Sequence, residues 1–427
     1  MTPHWKLPFG KTELTLTLPL GQSADLILPR SQKPHPAPEQ AVIETLSNPI
    51  AHPPLESIPS PASVAIAIND PTRPLPLNIL LPPLLKYLER IGVRSDDICI
   101  LIATGTHKPV DPHSLRDFIP LDILSRYRIL NHDASDQSNL VFLGHTTRGT
   151  PVYVNRVFYT AELRIVLGNI EPHHFMGYSG GAKTAAIGLA GYETITRNHQ
   201  MLTHPNARAG IFSDNPMRQD IEEIGRMMGI HFALNTILNE EKKIVHVLAG
   251  DPYQVMLTAI PLVQDVYMVN APTDYDLVIA SAGGHPKDIN LYQAQKALTH
   301  ATMFARPGGV VILSAACPEG SGHPEFEAFL DGVSNYQEAL AKFEQMGFRL
   351  GPHKAFQIAR QVARNPIILV SQMPRYLVEK CLLSYAPDLE AALKIAYNKI
   401  GHPIKAAILP FATHTLPLKD SSRNETL

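Results

Sequence analysis

The sequence predicts an α/β protein of two lobes, each a mostly parallel sheet covered by helices, with the active site in the crevice between them. Three observations predict it. The chain has 427 residues, two to three times the roughly 150 of an average domain, so more than one core is expected. Short β-branched runs alternate with helix-length amphipathic segments, the pattern of parallel sheets buried on both faces. The alternation comes in two series separated by a polar, proline-bearing stretch at 269–275. That stretch sets the expected domains at 1–270 and 271–427, with the extreme C-terminus packing back on the first.

Alternation at 12–19 and at 24–29 predicts a pair of strands, followed by a proline-rich connector, 33–61, with a short helix at Glu39–Ser47. The first series then supplies strands at Val64–Ile68, Ile98–Ala103, Tyr127–Leu130, Leu140–Leu143 and Leu163–Leu167. Helices are expected at Asn78–Arg90, despite its proline pair, and at Met217–Met228. Strands of the second series are Leu277–Ala282, Val310–Ser314, Ile367–Val370 and Ala406–Pro410. The tail from Lys419 is expected to fray.

Lys and Arg number 37 against 39 Asp and Glu, a net charge of -2. Such a chain has no overall field to hold nucleic acid or an acidic membrane surface, and neither is an expected partner. Charged residues are 18% and apolar ones 44%, a folded composition and not a disordered one. Cys99, Cys317 and Cys381 lie far apart in apolar surroundings without a CxxC pair, which fits buried thiols in a reducing compartment. With no secretory leader pattern at the start and no apolar run of membrane length, a cytoplasmic protein is expected. The 19 histidines are the first place to look for chemistry, because imidazole is a base and a metal ligand near neutral pH.

Three polar clusters follow predicted strands of the first series, where open α/β sheets place ligands. Asp70-Pro71-Thr72-Arg73-Pro74 offers a guanidinium fork suited to a carboxylate or phosphate, or else a capped turn with a surface arginine. Thr104-Gly105-Thr106-His107-Lys108-Pro109 sets His107 at a strand end as a candidate base. The third cluster is the densest, running from Gly168 through His173, His174 and Gly177 to Lys183 and Thr184, with Arg197-Asn198-His199 beyond.

Gly177–Thr184 has the length and closing Lys-Thr of a P-loop, but Ala182 replaces the glycine before the lysine. What remains is a glycine-rich turn whose free amides suit an anion, beside a lysine that burial would make nucleophilic. The spacings among His173, His174 and His199 match no zinc pattern. In the second series, Gly283–Lys296 places Gln293 and Lys296 on one helix face, with Asp288 as the expected cap. No complete G-x-G-x-x-G follows a strand, and the string from Gly320 lacks its last glycine. An ordinary nicotinamide dehydrogenase is therefore disfavoured.

Taken together, DPTRP at 70–74, GTHKP at 105–109, EPHHFMGYSGGAKT at 171–184, RNH at 197–199 and GGHPKDINLYQAQKA at 283–297 resemble the lactate racemase family. Members of that family racemise or epimerise 2-hydroxy acids with a nickel-pincer nucleotide. The resemblance spans most of the chain, and five motifs in order are specific where each alone is weak. It implies a pyridinium-derived mononucleotide carrying two thiocarboxylic groups, attached covalently at Lys183, with nickel bound by His199. Thr72, Gly180 and Gly181 would contact the cofactor. His107 and His173 would be the catalytic bases; Arg73, Gln293 and Lys296 would bind the substrate carboxylate and neighbouring oxygen, with Asp70 supporting the site and Tyr292 lining it. Cofactor-biosynthesis proteins are implied as loading partners.

The expected activity is inversion at C2 of lactate, malate or a larger 2-hydroxy acid through a 2-keto acid. The hydrogen on C2 is too weakly acidic for an imidazole to remove, so oxidation by hydride transfer followed by return to the other face is the route that fits. Two other readings remain open in the sequence: a P-loop-like phosphotransferase, for which no Mg²⁺ carboxylate stands out, and a non-catalytic anion-binding sensor.

Overall fold

A computed structural model of the chain describes residues 4–401 and 404–418; the expected fraying from Lys419 lies outside them. Residues 31–266 form one unit, and the described residues among 1–30 and 267–427 form the other. In the first unit six strands lie in the order Ile244–Gly250, Phe232–Leu238, Leu163–Asn169, Val64–Asn69, Ile98–Ala103, Arg128–Asn131. All neighbours run parallel except the Ile244–Gly250 edge. Ile98–Ala103 is buried at every position, as a strand covered on both faces must be.

On one face Ile66, Ile68, Ile100, Ile102, Ile165 and Leu167 pack with helices Pro38–Ser47 and Leu77–Arg90. Pro82 and Pro83 lie inside the second helix and withhold two backbone donors, at about 3 kcal/mol each. Six of its leucines, at 77, 80, 81, 84, 85 and 88, are buried. At roughly 1.5–3 kcal/mol per side chain, that packing outweighs the prolines. The chain order reverses between Val64–Asn69 and Leu163–Asn169. The loops leaving these two strands, beginning at Asp70 and Ile170, therefore open at the switch point of the sheet, where such folds bind ligands.

The second unit has an all-parallel sheet ordered Ser384–Ala386, Ile367–Val370, Ala305–Ser314, Tyr275–Ser281, Ala406–Leu409, Asp25–Leu26. Its switch point lies between Tyr275–Ser281 and Ala406–Leu409. The two strands expected at 12–19 and 24–29 both form, in different sheets. Thr12–Thr17 makes a hairpin with His4–Phe9, and Asp25–Leu26 joins the large sheet beside Ala406–Leu409. Lys6 and Pro8 obscure the alternation of the first hairpin strand, yet Leu7, Leu16 and Leu18 bury together against Leu277 and Ile279. Residues 4–30 thus belong with the C-terminal unit, and the chain crosses between units twice, near 30 and near 266. Leu416–Pro417 pairs with Met268–Val269, which the sequence division places in the first domain. Among the described residues no helix is long and apolar enough to cross a membrane.

Candidate active site

Asp70 stands directly after the Val64–Asn69 strand and is only 5% exposed. Its Oδ1 accepts from the Thr72 backbone N–H at 3.1 Å and the Thr72 hydroxyl at 2.5 Å. The other oxygen, Oδ2, lies 2.6 Å from His107 Nδ1. Burial pushes this carboxyl up, but the hydrogen bonds from His107 and Thr72 and the charges of His107 and Arg73 outweigh it, leaving it below the usual carboxylate range. An ionised Asp70 fixes the His107 tautomer, with the proton on Nδ1 and the lone pair on Nε2, on a side chain that is half exposed.

Across the switch point, Arg73 Nη1 is 3.5 Å from Glu171 Oε1 and Nη2 is 3.5 Å from His173 Nε2. The Glu171 contact sits at the outer limit of a hydrogen bond, and the His173 contact is a hydrogen bond only when Nε2 carries no proton, so the guanidinium is able to take a better acceptor. His173 is buried in the short antiparallel pair Pro172–His173 and Gly177–Tyr178. Its Nδ1 accepts from the Met176 N–H at 3.2 Å, which in the neutral ring leaves the proton on Nε2. His173 stacks on His174 at 4.6 Å and meets Phe175 edge-on. Phe175 in turn meets His199 at 5.6 Å.

The glycine-rich turn is built for its place. Gly180 and Gly181 both have positive φ, and a Cβ at Gly180 would run into the Ile170 side chain while one at Gly181 would lie 2.6 Å from Met256. Arg218, fully buried on helix Pro216–Met227, donates to the Tyr178 carbonyl at 2.9 Å and the Gly180 carbonyl at 3.1 Å, and pairs with Glu222. The amides of Tyr178, Ser179 and Gly181 are already bonded, to Met176 O, Glu171 O and Asn235 Oδ1. Those three amides are therefore not among the free ones expected of the turn, which leaves the P-loop reading with fewer donors. Arg218 and Glu171 were not singled out in the sequence. For Arg218 the available signal is Glu222 four residues on, on the buried face of a helix.

Lys183 follows the turn and opens the short helix Lys183–Ala186. It keeps some solvent contact although protein surrounds it. Burial drives its ammonium well below the ordinary lysine value, and the charges of Arg73 and Arg218 add to this against Glu171 and Asp70. The neutral amine so favoured is a nucleophile. On helix Tyr192–Gln200, His199 Nδ1 lies 2.7 Å from the Ile195 carbonyl and donates to it, which turns the Nε2 lone pair outward. Burial outweighs the opposing hydrogen bond to Ile195 and pushes its pKa down to about 4, so the ring is neutral near pH 7, the form that ligates metals. Next to it, Asn198 donates to buried Asp220 at 2.9 Å and to Met217 O at 3.0 Å. Asp220 also accepts from Thr146 and Thr150, which pins the helix.

Asp70, Thr72, Arg73, His107, His173, Gly180, Gly181, Lys183 and His199 thus all lie in the unit 31–266. Tyr292, Gln293 and Lys296 lie in the other, on helix Leu291–Phe304, where Lys296 Nζ donates to Gln293 Oε1 at 2.9 Å. The cap of that helix is Asn290, not the expected Asp288: Asn290 Oδ1 accepts from the Gln293 N–H at 3.0 Å. Asp288 is fully buried and instead accepts from Gly10 and Ala316, tying the N-terminal hairpin to the end of the Ala305–Ser314 strand.

Two family descriptions match this chain, the lactate racemase N-terminal domain over residues 9–210 and the lactate racemase C-terminal domain over 270–413. A lactate racemase from Lactiplantibacillus plantarum is 30% identical over 413 residues, 95% of this chain and 97% of that protein. The chain belongs to the lactate racemase family. Family membership places it among the isomerases. A second lactate racemase, from Thermoanaerobacterium thermosaccharolyticum, is 29% identical over 414 residues, 95% of this chain and 97% of its own length. The solved apoprotein of lactate racemase from that organism superposes with a TM-score of 0.89 at 27% identity, covering 98% of this chain and 100% of the other. The crystal structure of a Thermotoga maritima protein has a TM-score of 0.64 at 17% identity over 91% of this chain and 100% of its own, and so shares the fold.

Proposed function

We propose that this member of the lactate racemase family inverts C2 of a 2-hydroxy acid, lactate, malate or a larger analogue, using a nickel-pincer nucleotide held at Lys183 and His199. The observation that carries the reading is one grouping: a Lys183 whose charged form burial disfavours and a His199 whose Nδ1 is taken up by the Ile195 carbonyl, on the same sheet end as the Asp70–His107 pair, Arg73 and His173. The residues fit the group. Among the described residues no cluster of three or more His, Cys, Asp or Glu could hold a metal ion, so a lone imidazole suits a metal that arrives with its other donors on the cofactor. Buried Asn169, Thr184 and Thr236 have side-chain polar atoms without hydrogen-bond partners. Each costs about 1–3 kcal/mol unless a ligand satisfies it. Thr72, Gly180 and Gly181 complete the proposed cofactor contacts.

Held by Lys183 and His199, the cofactor would supply the hydride acceptor for C2. The protein handles the proton and the geometry. His107 Nε2 accepts the hydroxyl proton, and Asp70 stabilises the imidazolium that results. His173 serves the hydroxyl of the opposite enantiomer as the second catalytic base, a role that requires its ring to give up the 3.2 Å contact from the Met176 N–H and carry its proton on Nδ1, freeing the Nε2 lone pair. Arg73 exchanges its two 3.5 Å contacts for the substrate carboxylate, and Gln293 and Lys296 bind the carboxylate and neighbouring oxygen beside Tyr292. Three free, buried cysteines fit a reducing compartment; we place the enzyme in the cytoplasm, loaded there by cofactor-biosynthesis proteins. Intact-mass and metal analysis of protein co-expressed with those proteins tests the reading. Wild type should carry a covalent adduct and nickel, Lys183→Ala neither, and His199→Ala the adduct without nickel. A full adduct on Lys183→Ala would end the proposal.

A further inference from the structure

Helix Pro352–Arg364 carries a lysine where a core residue is expected. Lys354 is 2% exposed among Ala355, Phe356, Ile358 and Ala359, all buried. Its ammonium donates to Gln295 Oε1 at 2.9 Å and lies 5.2 Å from the centroid of the Tyr292 ring. Gln295, itself fully buried, donates onward to Thr299, which also accepts from Gln361. The same tyrosine ring stacks on His323 at 5.4 Å, with planes 17° apart, and meets His353 edge-on at 6.0 Å. Tyr292 is therefore hemmed in by a cation and two imidazoles.

A buried ammonium is costly, and a methionine of similar length would fill the space without that cost. Burial and the neighbouring Lys296 push Lys354 down to about 7, further evidence that the site strains against the charge. Sites that break the rules of core composition at the expense of stability are characteristically functional. Lys354 also acts on the right element. Through Gln295 and Tyr292 it grips the first turns of helix Leu291–Phe304, from which Gln293 and Lys296 project as a bonded pair.

We propose that Lys354 is a positioning residue: its ammonium, bonded to Gln295 and set over Tyr292, fixes the Tyr292–Lys296 turn for binding the substrate carboxylate. The inference rests on the racemase reading for the role of that turn, and on geometry within one unit for the contact. Lys354→Met in the cofactor-loaded enzyme should raise KM about five- to thirtyfold with kcat within twofold, the scale of one cation–π contact and one charged hydrogen bond. Lys354→Arg, which keeps the charge, should recover most of the affinity. In a Tyr292→Leu background Lys354→Met should add little, since the contact is already gone.

A second readout does not need turnover. 3-Fluorotyrosine placed at 292 should show a ¹⁹F resonance that shifts between wild type and Lys354→Met and returns toward its wild-type position in Lys354→Arg. If Lys354→Met fails to fold, Gln295→Leu removes the ammonium's acceptor and should give the same KM rise and ¹⁹F shift. An unchanged KM in Lys354→Met, or effects of Lys354→Met and Tyr292→Leu that simply multiply, would overturn the proposal. Were wild type to racemise no 2-hydroxy acid, the racemase reading would fall separately. An unchanged ¹⁹F resonance would then overturn the Lys354–Tyr292 contact as well.

Discussion

Asp70→Asn isolates what the carboxylate does for His107. The replacement keeps the shape, and its carbonyl oxygen can still accept from Thr72, but its amide presents N–H to His107 Nδ1. The ring must then carry its proton on Nε2, so the lone pair needed for the hydroxyl proton is lost, and so is the charge that stabilises the imidazolium. With Nδ1 and Oδ2 2.6 Å apart, the charge centres lie about 4 Å from one another, worth about 4 kcal/mol at an effective dielectric of about 20. His107 is half exposed, so solvent screening trims this to roughly 3–4 kcal/mol, about a hundredfold to a thousandfold in rate. The equilibrium constant of a racemisation is one, so kcat/KM must fall by the same factor from either enantiomer. Initial rates from each enantiomer, on protein whose nickel content and adduct match wild type, measure it. A loss below threefold with full loading would refute the assignment of His107 as a base supported by Asp70.

Two further outcomes follow from the same geometry. Arg73→Ala should lower kcat/KM by about 2–4 kcal/mol, because a buried carboxylate loses its charge-assisted partner; unchanged kinetics on the best substrate would return Arg73 to the surface role its loose contacts also allow. Lys354→Met should change the pH dependence of stability. The folded-state pKa of Lys354 is depressed from 10.5 to about 7, so between those values the unfolded chain binds the extra proton and wild-type stability rises with pH. The cost of the charge is absent above the unfolded value and complete below about 7, at about 1.4 kcal/mol per unit in between. Melting temperatures of the variant relative to wild type should therefore be more favourable at pH 6.5 than at pH 9.5, and a gap independent of pH would contradict the buried charge.

Much of the fold was legible because single-face and two-face burial leave different patterns. Ile98–Ala103 and Ile367–Val370 have the strand limits expected of short apolar runs, and helix Leu77–Arg90 declared itself through leucines on one face despite its prolines. Phe232–Leu238 was not legible, since Asn235 and Thr236 interrupt its apolar run; both are fully buried, and Asn235 bonds Gly168 and Gly181. The place of Asp25–Leu26 in the large sheet was not legible, because strand partners as distant in the chain as Asp25 and Ala407 leave no local trace. At the site, motif order located the loops carrying Asp70, His107, His173 and Lys183. Sequence could not show that Arg218 holds the glycine turn by its carbonyls, or that Asp70 and Met176 hold the two histidines in different tautomers. These are contacts between segments that nothing in the linear order brings together.

The most direct test of the central claim is racemisation of a single-enantiomer 2-hydroxy acid deuterated at C2, run in ordinary water with cofactor-loaded protein. The claim is that C2 inverts by oxidation and return of hydride while His107 and His173 handle only the hydroxyl proton. A hydride shielded from solvent does not exchange, so the inverted product should keep most of its deuterium at C2. Rapid loss of the label to water during turnover would mean that a base removes the C2 proton directly, and it would contradict the account.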